Sequence, residues 1–238
     1  MARVLIAIPA RNEAATVGQI VRNVRAALPG CDVLVIDDGS TDGTYELADA
    51  SGATLIRHAA SVGYGRTLST AIQYARQRNY EVLITFDADG QHRIEDLAPL
   101  YAAFQQGSYD LLIGSRFVTR RGYAGVPVMR RAGMWFFSSL TRVFTRQRVY
   151  DTSSGLKLIG RRALDVLSTA PFVDFHAEAI ALVIRAGHTV GEFPITVEPR
   201  RHGRSMYGPR EALSYGVRVL RLLLLIGTRA QSSQMARK

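Results

Sequence analysis

Cysteine is nearly absent. The 238 residues hold one, Cys31, so no internal disulfide can form and no CxxC pair offers zinc-ribbon spacing. That usage suits a reducing compartment, with Cys31 expected as a small apolar packing residue. Proline is scarce, at 8 residues, and neither repeats nor low-complexity segments occur, so nothing before the last few residues reads as disordered. Long apolar runs are missing too. The stretch after Met1-Ala2-Arg3 spans only Val4 to Ile8, too short for a signal peptide's core and without a cleavage site, so no export signal is expected. Acids are in deficit, 20 against 30 Lys and Arg, giving a net charge of +10. Such an excess attracts an anionic partner, whether nucleic acid, lipid phosphate or a negative leaflet.

What is present is enough apolar residue, 47%, for a sizeable core and one main domain. Short β-branched runs alternate with segments of helical spacing. Val4 to Ile8, closed by Pro9, precedes a helix carrying Val17, Ile20, Val21 and Val24; Asp32 to Ile36 precedes one reaching Ala50. Ala53 to Arg57 is followed by a helix with Leu68, Ala71, Ile72 and Ala75 on one face, and a strand ending near Asp87 by a helix over Ile94 to Phe104. Asp110 to Arg116 reads as a further strand, as does the end of Asp151 to Leu158. Arg161 to Leu167 and Phe175 to Ile184 read as helices, and Thr189 to Val197 as a late strand. This rhythm predicts an α/β fold, a mostly parallel sheet with helices on both faces. Gly63 and Gly65 lack the third glycine of a dinucleotide fingerprint and read as a turn before a helix.

Three strands end in polar clusters: Pro9-Ala-Arg-Asn-Glu13, Asp37-Asp38, and Asp87-Ala-Asp-Gly-Gln-His92. Ligands of open α/β sheets bind at such strand ends, so the clusters can form one site. If extended, Asp87 and Asp89 point the same way, and the small Ala88 and Gly90 let a ligand approach the backbone. Paired carboxylates suit Mg²⁺ or Mn²⁺ shared with phosphate oxygens, although Asp-Ala-Asp-Gly taken alone is equally a turn. Asp38 can accept from a nucleotide base N–H. From Arg116 to Tyr150 arginines recur with no acid, interleaved with Met134, Trp135, Phe136 and Phe137, the mixture that suits a lipid-water boundary. Glu211 to Ile226 reads as an apolar helix interrupted by Arg218 and Arg221. It is short of the ~20 clean residues of a span, so it should lie on a membrane or pack on the domain.

These clusters, with Gly114-Ser-Arg-Phe117, Asp151-Thr-Ser-Ser-Gly155 and Gly203-Arg-Ser-Met-Tyr-Gly208, resemble the GT-A glycosyltransferases of family 2. The nearest subgroup is the dolichol-phosphate mannosyltransferase and polyprenyl-phosphate hexosyltransferase type. The resemblance implies a GT-A, Rossmann-like catalytic domain over residues 1–210, with 116–150 facing acceptor and membrane, an amphipathic helix over 211–228 and a polar tail over 229–238. It implies that Pro9, Arg11, Glu13, Asp38 and Ala88 hold the nucleotide. Asp87, Asp89 and Gln91 would hold the metal, Mg²⁺ or Mn²⁺, and Arg200 and Arg204 the donor phosphates. Arg116, with Arg130 and Arg131, would meet the acceptor phosphate. Met206 stands where the family has Lys, and Arg204 is the available substitute for that charge.

The activity implied is inverting transfer of a hexose, mannose from GDP-mannose or glucose from UDP-glucose, to polyprenyl or dolichyl monophosphate. The protein would sit peripherally on the cytoplasmic face of the membrane, with no nucleic-acid partner. Two rivals predict different outcomes. A haloacid-dehalogenase-type phosphatase would use Asp87 as nucleophile, but expects Thr or Val where Gln91 stands. A non-catalytic anionic-membrane or nucleic-acid binding module would be indifferent to Asp89→Ala.

Overall fold

The computed structural model describes residues 2–119, 128–169 and 175–198; within helix 128–145 the side chains of 128–133 and 137 are not included. The expectations for Arg200, Arg204, Met206, the 211–228 helix and the tail therefore lie outside the described residues, as do the side chains of Arg130 and Arg131.

The chain alternates strand and helix through its first half: β1 (Val4–Ala10), α1 (Val17–Ala27), β2 (Asp32–Asp37), α2 (Thr44–Ala50), β3 (Thr54–Arg57), α3 (Tyr64–Gln77) and β4 (Val82–Thr85). A 3₁₀ turn (Ile94–Asp96) leads into α4 (Leu97–Gln106). Then come β5 (Leu111–Ser115), α5 (Val128–Thr145), β6 (Lys157–Gly160), α6 (Arg161–Thr169), α7 (Ala177–Arg185) and β7 (Val190–Pro194). The strands form one seven-stranded sheet in the order β3-β2-β1-β4-β6-β5-β7, parallel except for β6, which runs antiparallel to both neighbours.

Both faces are covered, which is why the strands are nearly all apolar rather than alternating. β1 sends Leu5 and Ala7 into the layer that holds Leu68, Ile72, Leu164 and Ile180, from α3, α6 and α7. Its Val4, Ile6 and Ile8 enter the opposite layer with Val17, Val21, Val24 and Leu100, from α1 and α4. Cys31 is half-buried against that second layer, a free thiol raised above its ordinary pKa chiefly by burial.

Pro9 does not close β1. It pairs in register with Ile36 and the strand runs on to Ala10. β4 pairs β1 only as far as Ala7, so Pro9 lies where β1 has a single neighbour and a missing N–H costs little. Two helices begin later than expected: a 3₁₀ turn occupies Ile94–Asp96 before α4, and Phe175 and His176 are turn before α7.

Candidate functional site

Three parallel strands, β2, β1 and β4, end side by side, and the loops that leave them are stitched together. Asn12, at a φ of 55°, donates its backbone N–H to Ser40 Oγ at 3.0 Å and accepts from the Thr41 N–H at 2.9 Å. The Glu13 N–H reaches Thr44 Oγ1 at 2.8 Å, and the Thr16 hydroxyl donates to the Ala88 carbonyl at 2.6 Å. Pro9 and Ala88 are buried beneath these loops, Arg11 is exposed and Glu13 half-buried. Pro9, Arg11, Glu13 and Ala88 thus lie along one sheet edge.

Asp38 is buried and its carboxylate is filled by its own chain. Oδ1 takes His58 Nδ1 at 3.0 Å and the Val62 N–H at 2.8 Å; Oδ2 takes the Ser61 hydroxyl at 2.7 Å and the Gly63 N–H at 3.1 Å. Burial alone would raise its pKa, but these four donors outweigh it and hold the group below the ordinary carboxylate value. Accepting a base N–H would mean sharing or displacing one of them. In this state Asp38 fixes the loop from His58 to Gly63.

β4 ends at Thr85, and Asp87 to Asp89 form a turn rather than an extended pair, so the turn reading and the site reading describe the same residues. Asp87 Oδ1 accepts from the Tyr64 hydroxyl at 3.0 Å, and Oδ2 lies 3.5 Å from His92 Nε2. Burial opposes the charge on Asp87, but the His92 and Tyr64 hydrogen bonds and the nearby Lys157 ammonium lower its pKa, so it is a carboxylate at neutral pH. Asp89 Oδ1 accepts from the Gln91 N–H at 3.0 Å, and the Gln91 side-chain amide donates to the Glu198 carbonyl at 3.3 Å. The backbone of Gly155 passes so close that a Cβ there would overlap the Asp87 carboxylate.

Across from the acids stands Arg116, at the end of β5. Its Nε and Nη2 grip both oxygens of the fully buried Asp151 at 2.7 and 2.8 Å, its backbone N–H adds a third bond at 3.0 Å, and Nη2 also reaches Ser153 Oγ at 2.7 Å. Burial disfavours the Arg116 cation, but Asp151 first, then the fields of Asp87 and Asp89, raise its pKa above the ordinary value. Glu192 on β7 in turn accepts the N–H groups of Tyr150 and Asp151, each at 2.8 Å.

Sequence reading missed four participants. Lys157 is fully buried on β6, with its ammonium hydrogen-bonded to the Ser154 carbonyl and 5.1 Å from the Phe175 ring centroid. Tyr64, Gly155 and Glu192 make their contacts through tertiary structure alone. Only the glycine of Asp151-Thr-Ser-Ser-Gly155 carried a sequence signal, through its motif.

No cluster of three or more His, Cys, Asp or Glu able to hold a metal occurs among the described residues. Mg²⁺ and Mn²⁺ do not need one where substrate phosphates complete the shell, and two carboxylates in a cradle kept open by Gly155 fit that requirement.

A parallel sheet carrying one antiparallel strand, with acids gathered at the ends of β1, β2 and β4, is the GT-A architecture of nucleotide-sugar glycosyltransferases. The family model described as "Glycosyl transferase family 2" matches residues 5–167, and the chain belongs to that family. It is 31% identical over 212 residues to the undecaprenyl-phosphate mannosyltransferase of Micrococcus luteus, covering 85% of this chain and 86% of that one. It is likewise 31% identical over 214 residues to the polyprenol monophosphomannose synthase of Mycolicibacterium smegmatis, covering 85% and 80%. Among solved structures it resembles glucosyl-3-phosphoglycerate synthase from Mycobacterium tuberculosis in complex with Mn²⁺, UDP and glucosyl-3-phosphoglycerate. The TM-score is 0.64 at 19% identity, over 85% of this chain and 73% of that one, a likeness of fold.

Proposed function

We propose that this protein transfers a hexose from a nucleotide sugar to a polyprenyl monophosphate, with inversion at the anomeric carbon. The carrying observation is that Arg116, after β5, and Asp87, after β4, sit on one edge of the sheet and are bridged by a single loop: Ser153 takes the Arg116 guanidinium, and Gly155 abuts the Asp87 carboxylate. A guanidinium after β5 and two carboxylates after β4 on the same sheet edge suit a phosphate acceptor meeting a metal-bound diphosphate donor. The mannosyl relatives favour mannose as the sugar, and the family resemblance makes GDP-mannose its donor. The UDP in the structural neighbour keeps UDP-glucose as the alternative.

Asp87 and Asp89, with the Gln91 amide, would hold Mg²⁺ or Mn²⁺. That ion would supply positive charge to the departing diphosphate. The Asn12 to Thr16 loop and the Asp38 loop shape the nucleotide end, with Pro9, Arg11, Glu13 and Ala88 along it. Arg200 and Arg204 are assigned to the donor phosphates by family resemblance, and Arg130 and Arg131 join Arg116 toward the acceptor because they lie in the acid-free basic segment that follows it. Asp151 holds the Arg116 guanidinium through Nε and Nη2, leaving Nη1 to meet the acceptor phosphate. A phosphate monoester is already ionised at neutral pH, so the attacking oxygen needs no strong general base.

α5 supports placement at a membrane surface. Its inner side buries Ser138 and Thr141, and Leu140 and Phe144 pack against α7, while Trp135, Phe136 and Val143 stand exposed at 67%, 48% and 74%. Exposed aromatics beside Arg142 and Arg146 suit an anionic lipid interface. No helix among the described residues is long and apolar enough to cross a membrane. We assign the cytoplasmic face, where the nucleotide sugars are.

The test is transfer of radiolabelled sugar from GDP-mannose, and separately UDP-glucose, to polyprenyl phosphate in detergent with Mg²⁺ or Mn²⁺. Labelled lipid from one donor, reduced on the order of 10²–10³-fold by Asp89→Ala, is expected. No labelled lipid from either donor, or transfer indifferent to Asp89→Ala, would overturn the reading.

A further inference from the structure

We infer that Tyr64 is a positioning residue: its hydroxyl orients the Asp87 carboxylate for a divalent metal and ties that carboxylate to the loop fixed by Asp38. The inference rests on the reading of Asp87 as a metal ligand.

The Tyr64 hydroxyl donates to Asp87 Oδ1 at 3.0 Å, while His92 lies at Oδ2. A carboxylate at the end of a turn can rotate about its Cβ–Cγ bond; a donor on one oxygen sets its plane and leaves lone pairs on both oxygens aimed elsewhere. Tyr64 is itself held on both sides of its backbone and ring. It opens α3 directly after Gly63, whose φ is 89° and whose N–H is bonded to Asp38 Oδ2. Its ring stacks on that of the buried His176, with centroids 5.4 Å apart and planes 17° from parallel. The start of α3 therefore carries bonds to the acid after β2 at Gly63 and to the acid after β4 at Tyr64. Neither bond belongs to the helix's own ladder, and the stacked ring alone would pack equally well without placing its hydroxyl on a carboxylate at the end of β4.

Tyr64→Phe removes the hydroxyl and keeps the ring on His176. Mn²⁺ binding is followed by electron paramagnetic resonance in the presence of GDP and, separately, UDP, for wild type, Tyr64→Phe and Asp87→Asn, with thermal unfolding measured alongside. The expected result is binding about 10-fold weaker in Tyr64→Phe, with an unchanged unfolding midpoint. Equal Mn²⁺ affinity in Tyr64→Phe and wild type, with binding lost in Asp87→Asn, overturns the Tyr64 role alone. Weakened binding accompanied by a matching fall in the unfolding midpoint also overturns it, reducing Tyr64 to a folding residue. If wild type binds no Mn²⁺ with either nucleotide, or Asp87→Asn binds as well as wild type, the metal reading fails and the Tyr64 role with it.

Discussion

The two sides of the site are built differently. On the proposed nucleotide side, the β1, β2 and β4 loops close on one another through neutral hydrogen bonds at Ser40, Thr44, Asn12 and Thr16, and Asp38 is saturated by its own loop. On the proposed acceptor side, one buried ion pair, Arg116 with Asp151, is set in place by Glu192, and α5 nearby in sequence turns Trp135 and Val143 outward. The first side spreads its energy over many bonds, the neutral ones worth about 1 kcal/mol each, with Arg57 also paired to the buried Asp37; the second concentrates it in one two-pronged charged contact. Substitutions should be absorbed on the first and felt sharply on the second.

Breaking the ion pair is the most severe way to expose that contrast. Asp151→Asn leaves Arg116 partly buried without its counter-charge and is expected to cost about 3–5 kcal/mol in urea denaturation, with transfer falling in parallel. A Thr44→Val change on the nucleotide side, by contrast, should cost about 1 kcal/mol. Where the two sides meet, Gly155→Ala pushes a methyl into the Asp87 carboxylate; transfer should fall on the order of 100-fold, measured with the labelled-sugar assay.

The same contrast has a pH signature. Asp151 and Asp38 both titrate below their ordinary value in the fold. Their stabilisation is complete above about pH 4 and is lost as the pH falls through the lowered native values. Burial raises Glu192 instead, so its share has the opposite sign: it favours the fold at low pH and fades as the pH rises through its native value. Wild-type stability should therefore fall below about pH 4, and Asp151→Asn should fall less steeply over the same range. The smallest effect is expected at the surface. Trp135→Ser should change stability by no more than about 0.5 kcal/mol, yet weaken flotation with anionic lipid vesicles.

Much of this was legible in the sequence because it is local. The alternation of apolar runs and helical spacing places β1 to β4 and their helices, and the acids after β2 and β4 mark the strand ends where ligands bind. Other features depend on partners distant in the chain. Lys157-Leu-Ile-Gly160 is a plain short strand, and nothing in it says that it inserts antiparallel between β4 and β5 or that the lysine is buried. Pro9 reads as a strand end until the early stop of β4 is known. Tyr64 looks like the first residue of a helix; its bond to Asp87 spans 23 residues and appears only when the sheet is assembled.

The most direct test of a donor side and an acceptor side meeting at Asp87 is a comparison of KM values in Arg116→Lys. Lysine keeps the charge beside Asp151 but loses the planar fork. The account predicts that KM for polyprenyl phosphate rises about 10-fold or more while KM for the nucleotide sugar is unchanged. A rise in the nucleotide-sugar KM alone, or no change in either, would contradict it.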